Sequence, residues 1–461
     1  MIDKEEADNP AFRKAEGKFL KHAQDTINPN VTAADVREML IQHVLTEEIF
    51  SQVFDNADFH RQNNVAKELY ALENTFFTGG LKRQTLAALR PYYAAIRGAA
   101  ALVSSHHEKQ TFLKVIYENF YKVYDKKKAD RLGVIYTPNE IVRFMVESAD
   151  QLCQKHFERQ LIDKNVEILD PAAGTGTFIT EPIEHFRGQP QKLRYKYLEE
   201  LHANEVAILP YYVANLNIEA TYAAITQIYE EFPNLCFVDT LDNTAALRAQ
   251  KGQHVGDLFG GVSEENVARI KRQNKKKISV IIGNPPYNAN QLNENENNKN
   301  RVYPEIDRRI KATYIAASTA QKTKLYDMYA RFIRWASDRI DENGVVAFIS
   351  NSSFIDARAF DGFRKCVADD FNEMWIVDLK GNARTSGERR RREGGNIFQN
   401  QIRVGIAVYF LVKKRGAKGC RIFYEAVRDY AKADEKREFL SGKRLEERGF
   451  DEIKPDKTGS T

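Results

Sequence analysis

Ile278-Ser279-Val280-Ile281-Ile282-Gly283-Asn284-Pro285-Pro286-Tyr287 is an apolar run that stops on a glycine, a carboxamide, two prolines and an aromatic ring. β-Branched residues bounded in this way predict a buried parallel strand over 278–283 that ends abruptly. In an open α/β sheet, ligands bind outside the carboxyl ends of the strands. Asn284, Pro285, Pro286 and Tyr287 therefore stand at the rim of a candidate site. The Asn284 side-chain oxygen and the Pro285 carbonyl can both accept from a planar exocyclic amine, and Tyr287 can stack on the ring that carries it. Asn and Pro are also ordinary turn residues, so the rest of the chain has to decide between a site and a plain turn.

A glycine turn upstream supplies a second part of that rim. Val166-Glu167-Ile168-Leu169-Asp170 predicts a short strand, and Pro171-Ala172-Ala173-Gly174-Thr175-Gly176-Thr177-Phe178 a tight turn into a helix. Gly174 and Gly176 allow the backbone to approach a ligand closely. The third glycine of a dinucleotide fingerprint is absent, and so is the Lys-Ser/Thr of a P-loop. Asp170 instead places a carboxylate where a cationic amino-acid moiety pairs with it. That disfavours a bound pyrophosphate and favours a zwitterionic nucleoside such as S-adenosyl-L-methionine. A second strand over 200–204 ends in Glu205, whose carboxylate suits ribose hydroxyls. A third over 235–238 ends in Asp239-Thr240-Leu241, with Asp239 suited to an adenine amine and Leu241 to its ring face.

The chain before the first strand reads differently. Residues 1–125 carry helical periodicity throughout, for example Val36, Met39, Leu40, Val44, Leu45, Ile49 and Phe50, with Thr32 as N-cap and Asp35 in the first turn. Further helices are predicted over 65–77 and 111–124. After Lys126-Lys127-Lys128 comes Tyr136-Thr137-Pro138-Asn139-Glu140, where Thr137 is the predicted N-cap and Pro138 the first position of a helix to about residue 150. Downstream of Tyr287, residues 288–301 are dense in Asn, Gln, Glu and Lys and predict a mobile loop. Strands follow over 345–350, 374–379 and 403–412, which makes about seven. Arg389, Arg390, Arg391 and Arg392 lie between glycines in a predicted loop and suit phosphate contacts, although a solvated basic loop reads the same.

At 461 residues, with 43% hydrophobic and 29% charged residues, the chain can bury a large core in two or three domains. No apolar run approaches the ~20 residues of a membrane helix, and the amino end has no signal-peptide core. The four cysteines are far apart in apolar contexts, which suits a reduced cytosolic protein without a disulfide frame or a metal site. A net charge of +5 leans towards a polyanionic partner.

Asp170 to Phe178, Glu205, Asp239-Thr240-Leu241 and Asn284 to Tyr287, with Tyr136-Thr137-Pro138 ahead of them, resemble the ordered motifs of gamma-class DNA adenine N6-methyltransferases. The resemblance is closest to the coupler plus methyltransferase part of type ISP and type IIG restriction-modification enzymes, and it runs from about residue 30 to 415. It implies a Rossmann-like S-adenosylmethionine-dependent methyltransferase fold, α/β with a mixed seven-stranded sheet whose last strand is antiparallel, preceded by an all-α domain. The implied division is 1–125 for a helical coupler-like domain, 126–415 for the methyltransferase and 416–461 for an extension. It further implies that Tyr136, Thr137, Pro138, Asp170, Ala172, Gly174, Gly176, Phe178, Glu205, Asp239, Thr240 and Leu241 line the site of the methyl donor. Asn284, Pro285, Pro286 and Tyr287 would then hold a flipped adenine. The setting implied is the cytoplasm of a bacterium or archaeon.

The family pattern normally carries a target-recognition domain after the catalytic one. The residues beyond the last predicted strand are too few for it, so the resemblance implies that this domain is absent or truncated. Three arrangements fit that departure: a truncated product, one fragment of a split gene, or a subunit that needs a separately encoded specificity subunit or helicase or nuclease partner. Double-stranded DNA is the expected substrate, with no metal and no covalent enzyme intermediate required. Two other readings fit the same residues. One is a methyltransferase of RNA or of a protein glutamine amide. The other is a catalytically idle DNA-binding or assembly module.

Overall fold

The computed structural model describes residues 2–27, 29–53, 63–77, 81–103, 137–244, 264–286, 302–319, 323–399 and 402–454, with residues 108, 112, 115, 116 and 247 besides. The predicted helix over 111–124, the loop over 288–301, and Tyr136 and Tyr287 lie almost wholly outside that set.

The amino-terminal part is helical, with Pro10–Thr26, Ala33–Val53, Asn64–Glu73 and Arg90–Ala101 as its longer elements. Local chemistry explains their starts. Asn9 Oδ1 accepts from Phe12 N at 3.1 Å ahead of Pro10, a proline where its missing N–H costs nothing. Thr32 Oγ1 accepts from Asp35 N at 3.3 Å while Asp35 Oδ2 accepts from Thr32 N at 2.9 Å, a reciprocal cap. The predicted helix over 65–77 ends earlier, at Glu73, and is capped by Asn63, whose Oδ1 accepts from Val65 N and Ala66 N at 3.1 and 3.0 Å.

These helices dock on Ile208–Thr226, which is buried almost all round because the sheet covers one side and Ala33–Val53 the other. Several polar groups pair across that junction. Asn63 Nδ2 donates to Asn215 Oδ1 at 2.8 Å, Tyr211 donates to Asn64 Oδ1 at 2.7 Å, and His43 Nδ1 meets the Tyr212 hydroxyl at 3.2 Å.

The sheet contains β1 (Glu167–Asp170), β2 (Leu201–Glu205), β3 (Leu235–Phe237), β4 (Ile278–Gly283), β5 (Ile340–Asn351), β6 (Glu373–Lys380), β7 (Ile406–Lys413), β8 (Arg421–Ala426) and β9 (Asp451–Ile453). Their order is β3-β2-β1-β4-β5-β7-β6-β8-β9. β1 to β5 run parallel, and β7 is antiparallel to both β5 and β6, as predicted for the strand near residue 410. Alternate residues serve opposite faces. Ile168, Val280, Ile282, Val345 and Ala347 enter one core, while Leu169, Ile281, Val346 and Phe348 enter the other. Each fully buried aliphatic side chain contributes roughly 1.5–3 kcal/mol, which is why these strands read as continuous apolar runs.

Nine strands replace the seven predicted. The two additions lie beyond residue 415. β8 buries only Phe423, and β9 has three residues, so neither shows a period of two in the sequence. They are held by Trp375, which stacks on Phe423 at 4.0 Å and meets Phe450 edge-on at 5.1 Å. Nearby, the Arg448 guanidinium lies 4.6 Å from both the Phe144 and Phe439 rings and donates to the Phe439 and Leu440 carbonyls at 2.6 and 2.9 Å. No described helix is long and apolar enough to cross a membrane.

Candidate active site

β1 lies between β2 and β4, so the strand order reverses there and leaves a crevice at the carboxyl ends of β1 and β4. Asp170 closes β1 and is fully buried. Its Oδ1 accepts from Ala172 N at 3.0 Å, and its Oδ2 has no hydrogen-bond partner among the described residues. Burial, and secondarily the neighbouring Glu205 carboxylate, push the Asp170 carboxyl up to about 8 against the pull of the Ala172 N–H. On the facing strand, a Cβ at Gly283 would stand 2.8 Å from Asp170 Oδ1. Only glycine lets β4 approach that carboxylate, a constraint the sequence reading did not find.

The glycine turn divides its two glycines between two tasks. Gly174 has φ +54°, and a Cβ there would meet nothing within 4 Å, so its face is open to a ligand. Gly176 has φ +81°, and a Cβ there would press on Ala214 Cα at 3.1 Å. The sequence suits both glycines to ligand approach; Gly176 also lets the turn pack on the Ile208–Thr226 helix. Phe178 is buried in the core behind it, and Ala172 is half-buried at its start.

Glu205 ties this turn to β2. Its Oε2 accepts from Gly174 N at 2.8 Å, and its Oε1 accepts from Val206 N and Ala207 N at 2.9 and 2.8 Å. A carboxylate has about four acceptor positions, so three are taken by backbone and one remains. Burial raises the Glu205 carboxyl to about 7, with the three N–H groups pulling it down and Asp239 pushing it up.

Asp239 follows β3 and is clamped from several directions. Its N–H donates to the Ile27 carbonyl at 3.0 Å, which brings the amino-terminal helices to the rim. Its Oδ1 accepts from Leu241 N at 3.1 Å, and its Oδ2 accepts from the Tyr303 hydroxyl at 3.1 Å. Tyr303 escaped the sequence reading, because nothing local links it to a residue so far upstream. Thr240 donates to the Pro171 carbonyl at 2.6 Å and accepts from Asn204 Nδ2 at 3.0 Å. It therefore ties the turns after β1 and β3 to the end of β2. Leu241 is buried in the core beside Leu169.

Asn284 stands directly beyond Gly283. Its Nδ2 donates to Thr137 Oγ1 at 2.9 Å, and its Oδ1 is buried without a partner among the described residues. Thr137 is free for this bond because the helix cap falls one residue later than predicted. Pro138 occupies the N-cap, with φ −53° and ψ 139°, of a helix that runs over Asn139–Phe157. Pro285 is buried and Pro286 half-buried beside them.

The arginine run forms a short exposed helix, Gly387–Glu393, in place of the predicted loop. Among the described residues no group of three or more His, Cys, Asp or Glu is placed to hold a metal ion.

A family model described as the type ISP restriction-modification enzyme coupler domain matches residues 2–108, and one described as the Eco57I restriction-modification methylase matches residues 152–384. Among solved structures, the DrdV–DNA complex determined by cryo-electron microscopy is 57% identical, with a TM-score of 0.91 over 98% of this chain and 43% of that one. A nuclease-deletion mutant of the type ISP enzyme LlaGI, in complex with a DNA substrate mimic, is 33% identical, with a TM-score of 0.90 over 100% of this chain and 37% of that one. The type II methyltransferase M.BstVI of Geobacillus stearothermophilus is 22% identical over 330 residues, 70% of this chain and 49% of that protein. The chain thus spans less than half the length of each of these relatives. Asp170, Glu205, Asp239 and Asn284 all fall within the methylase match, and Thr137 falls between the two matches. The chain belongs to the Eco57I restriction-modification methylase family, with a type ISP coupler domain ahead of the methylase.

Proposed function

We propose that this chain is the methyl-transfer part of a restriction-modification enzyme, moving a methyl group from S-adenosylmethionine to the N6 amine of an adenine turned out of duplex DNA. The observation that carries this reading is a pair of buried oxygens without partners at one rim, Asp170 Oδ2 and Asn284 Oδ1. Other buried acceptors, Asn204 Oδ1 and Asn217 Oδ1 among them, also lack partners among the described residues. What supports a polar ligand here is that these two, Asp170 Oδ2 and Asn284 Oδ1, stand at the carboxyl ends of the paired strands β1 and β4, at the crevice. The donor set fits the methyl donor. Asp170 suits its ammonium group, the remaining acceptor position of Glu205 a ribose hydroxyl, and Asp239 the adenine amine. In the proposal Tyr136, Thr137, Pro138, Ala172, Gly176, Phe178, Thr240 and Leu241 shape the pocket around them.

When bound, S-adenosylmethionine supplies an activated methyl group on a sulfonium sulfur. The protein orients the acceptor. An adenine amine is a poor nucleophile because its lone pair is delocalised into the ring. Asn284 Oδ1 and the Pro285 carbonyl accept from its two N–H groups, favour a pyramidal nitrogen and aim the lone pair at the methyl carbon. Orientation of this kind supplies much of the rate. Tyr287 stacks on the base and offsets part of the few kcal/mol spent in unstacking it. Transfer would break the sulfur–methyl bond and leave a neutral thioether, so the positive charge passes to the methylated amine, which sheds one proton. Neither Asn284 nor Pro285 can hold it, and it passes to water.

Residues 1–125 are the coupler-like part in this proposal, 126–415 carry the chemistry, and 416–461 are an extension whose β8 and β9 form the outer edge of the sheet. A cytoplasmic setting belongs to the same picture. The test is transfer of tritiated methyl to unmethylated duplex DNA followed by digestion to nucleosides, with Asn284→Ala alongside. Label in N6-methyladenine that vanishes in the variant is the expected result. Label in RNA or in protein glutamine, with DNA unlabelled, would replace the substrate.

A further inference from the structure

The four consecutive arginines are the conspicuous basic feature of the sequence, yet each has a partner inside the protein. Arg389 pairs with Asp356 at 2.9 Å, and Arg390 Nη1 donates to the Gly394 carbonyl at 2.8 Å. Arg391 lies 3.7 Å from Glu388, and Arg392 lies 3.9 Å from Glu388 and 4.0 Å from Asp429. Three other arginines differ. Arg358, Arg384 and Arg403 are exposed and make no ion pair or side-chain hydrogen bond among the described residues.

They come from separate loops that meet on one rim. Arg358 follows β5, Arg384 follows β6 and Arg403 precedes β7. Because β7 runs antiparallel between β5 and β6, its amino end shares the edge with their carboxyl ends. Backbone bonds join the loops: Ala383 N donates to the Arg403 carbonyl at 2.8 Å, and Ser352 N to the Gly405 carbonyl at 2.9 Å. A Cβ on Gly405 would collide with the Ser352 hydroxyl, so the loops are in close contact. Arg364 Nη1 donates to the Phe354 and Ala357 carbonyls at 2.9 and 3.0 Å and fixes the turn that presents Arg358. The same rim carries Asn284 at the end of β4, the neighbour of β5. From β4 to β6 it spans three strand spacings, roughly 14 Å, about the axial rise of four base pairs.

We propose that Arg358, Arg384 and Arg403 hold the phosphates of the DNA beside the extruded base, and that the run Arg389–Arg392 does not. This rests on the DNA reading above. A guanidinium without an internal partner is free to grip a phosphate oxygen pair. Arg389 would first have to give up Asp356, and Arg391 and Arg392 carry the compensating charge of Glu388 beside them.

The full chain is titrated with a fluorescent duplex between 50 and 200 mM salt, as the parent, as R358Q/R384Q/R403Q and as R389Q/R390Q/R391Q/R392Q, with thermal unfolding of each recorded. The first variant is expected to unfold at the parent temperature and to bind of order a hundredfold more weakly at 100 mM salt. Its log K against log salt slope should flatten by about two to three. The second is expected to keep the parent slope to within about one. A parent slope retained in the first variant overturns the inference while leaving the DNA reading intact. A parent that shows no salt-dependent affinity for the duplex overturns both.

Discussion

Thr137 Oγ1 accepts from Asn284 Nδ2 at 2.9 Å, a bond between residues 147 positions apart. It decides which way the carboxamide faces. With the nitrogen tied to the threonine, the oxygen is left buried and without a partner among the described residues, so the acceptor of the carboxamide is the atom kept in reserve for an amine. Thr137→Val keeps the shape and removes the acceptor, leaving a buried N–H unsatisfied at about 1–3 kcal/mol. The expected result is a 10- to 100-fold fall in kcat, with the affinity for the inert cofactor analogue sinefungin changed by only a few-fold, and with Thr137→Ser restoring most of the rate. Equal losses in rate and analogue affinity, without rescue by serine, would mean that Thr137 serves the cofactor alone.

The two glycines of the turn after β1 separate stability from ligand access. Alanine at either position adopts a left-handed backbone at about 1–2 kcal/mol. At Gly176 the added methyl also presses on Ala214, so Gly176→Ala is expected to lose about 2–4 kcal/mol in denaturant unfolding. At Gly174 the methyl meets no protein atom and projects into the open face. Gly174→Ala should therefore unfold closer to the parent yet bind sinefungin at least tenfold more weakly by calorimetry. The reverse order of stabilities would contradict this division.

Much of this arrangement is legible in the sequence, and the reasons are local. Ile278 to Gly283 and Val166 to Asp170 are apolar runs ended by turn residues, because strands buried on both faces need no polar alternation. Their end residues Asp170, Glu205, Asp239 and Asn284 follow from the strand ends. What is not legible depends on distant partners. The Thr137 bond required the cap to shift to Pro138, and nothing short-range distinguishes the two caps. Gly283 reads as a strand stop until Asp170 lies against it. β8 and β9 depend on Trp375 to cover a pair of short, mostly polar segments. The partners of the arginine run are only half legible: Glu388 lies beside it in the sequence, whereas Asp356 and Asp429 reach Arg389 and Arg392 from elsewhere in the chain.

Tyr303 is one of these distant partners and can be tested singly. Its hydroxyl fixes one oxygen of Asp239 while the Leu241 N–H fixes the other. Tyr303→Phe removes one hydrogen bond to a carboxylate, worth about 1.5–3 kcal/mol if none of it is recovered from water. A roughly 3- to 30-fold weaker sinefungin Kd is expected, most of it in affinity, with kcat at saturating cofactor nearly unchanged. An unchanged Kd would remove Asp239 from the cofactor pocket.

Two carboxyls at the crevice make both folding and cofactor binding depend on pH, in opposite senses. Asp170 is raised from 3.8 to about 8 and Glu205 from 4.5 to about 7, in each case chiefly by burial. Between those limits the folded apo protein holds protons that the unfolded chain has released, so their contribution to stability falls as pH rises. It is least unfavourable below the unfolded values, where both states are protonated, and reaches its full cost above about pH 8. A cationic ligand reverses the preference at Asp170, because an ammonium group is paired only by the ionised carboxylate. Sinefungin, which carries amine cations, should bind more tightly as pH climbs from 6 towards 8, with release of up to one proton from Asp170 near pH 7. Calorimetry in buffers of different ionisation heat measures that proton directly. Asp170→Asn should bind weakly without releasing it, and its apo form should lose part of the decline in unfolding temperature between pH 5 and 8. Proton release that persists in Asp170→Asn would assign the titration to another group.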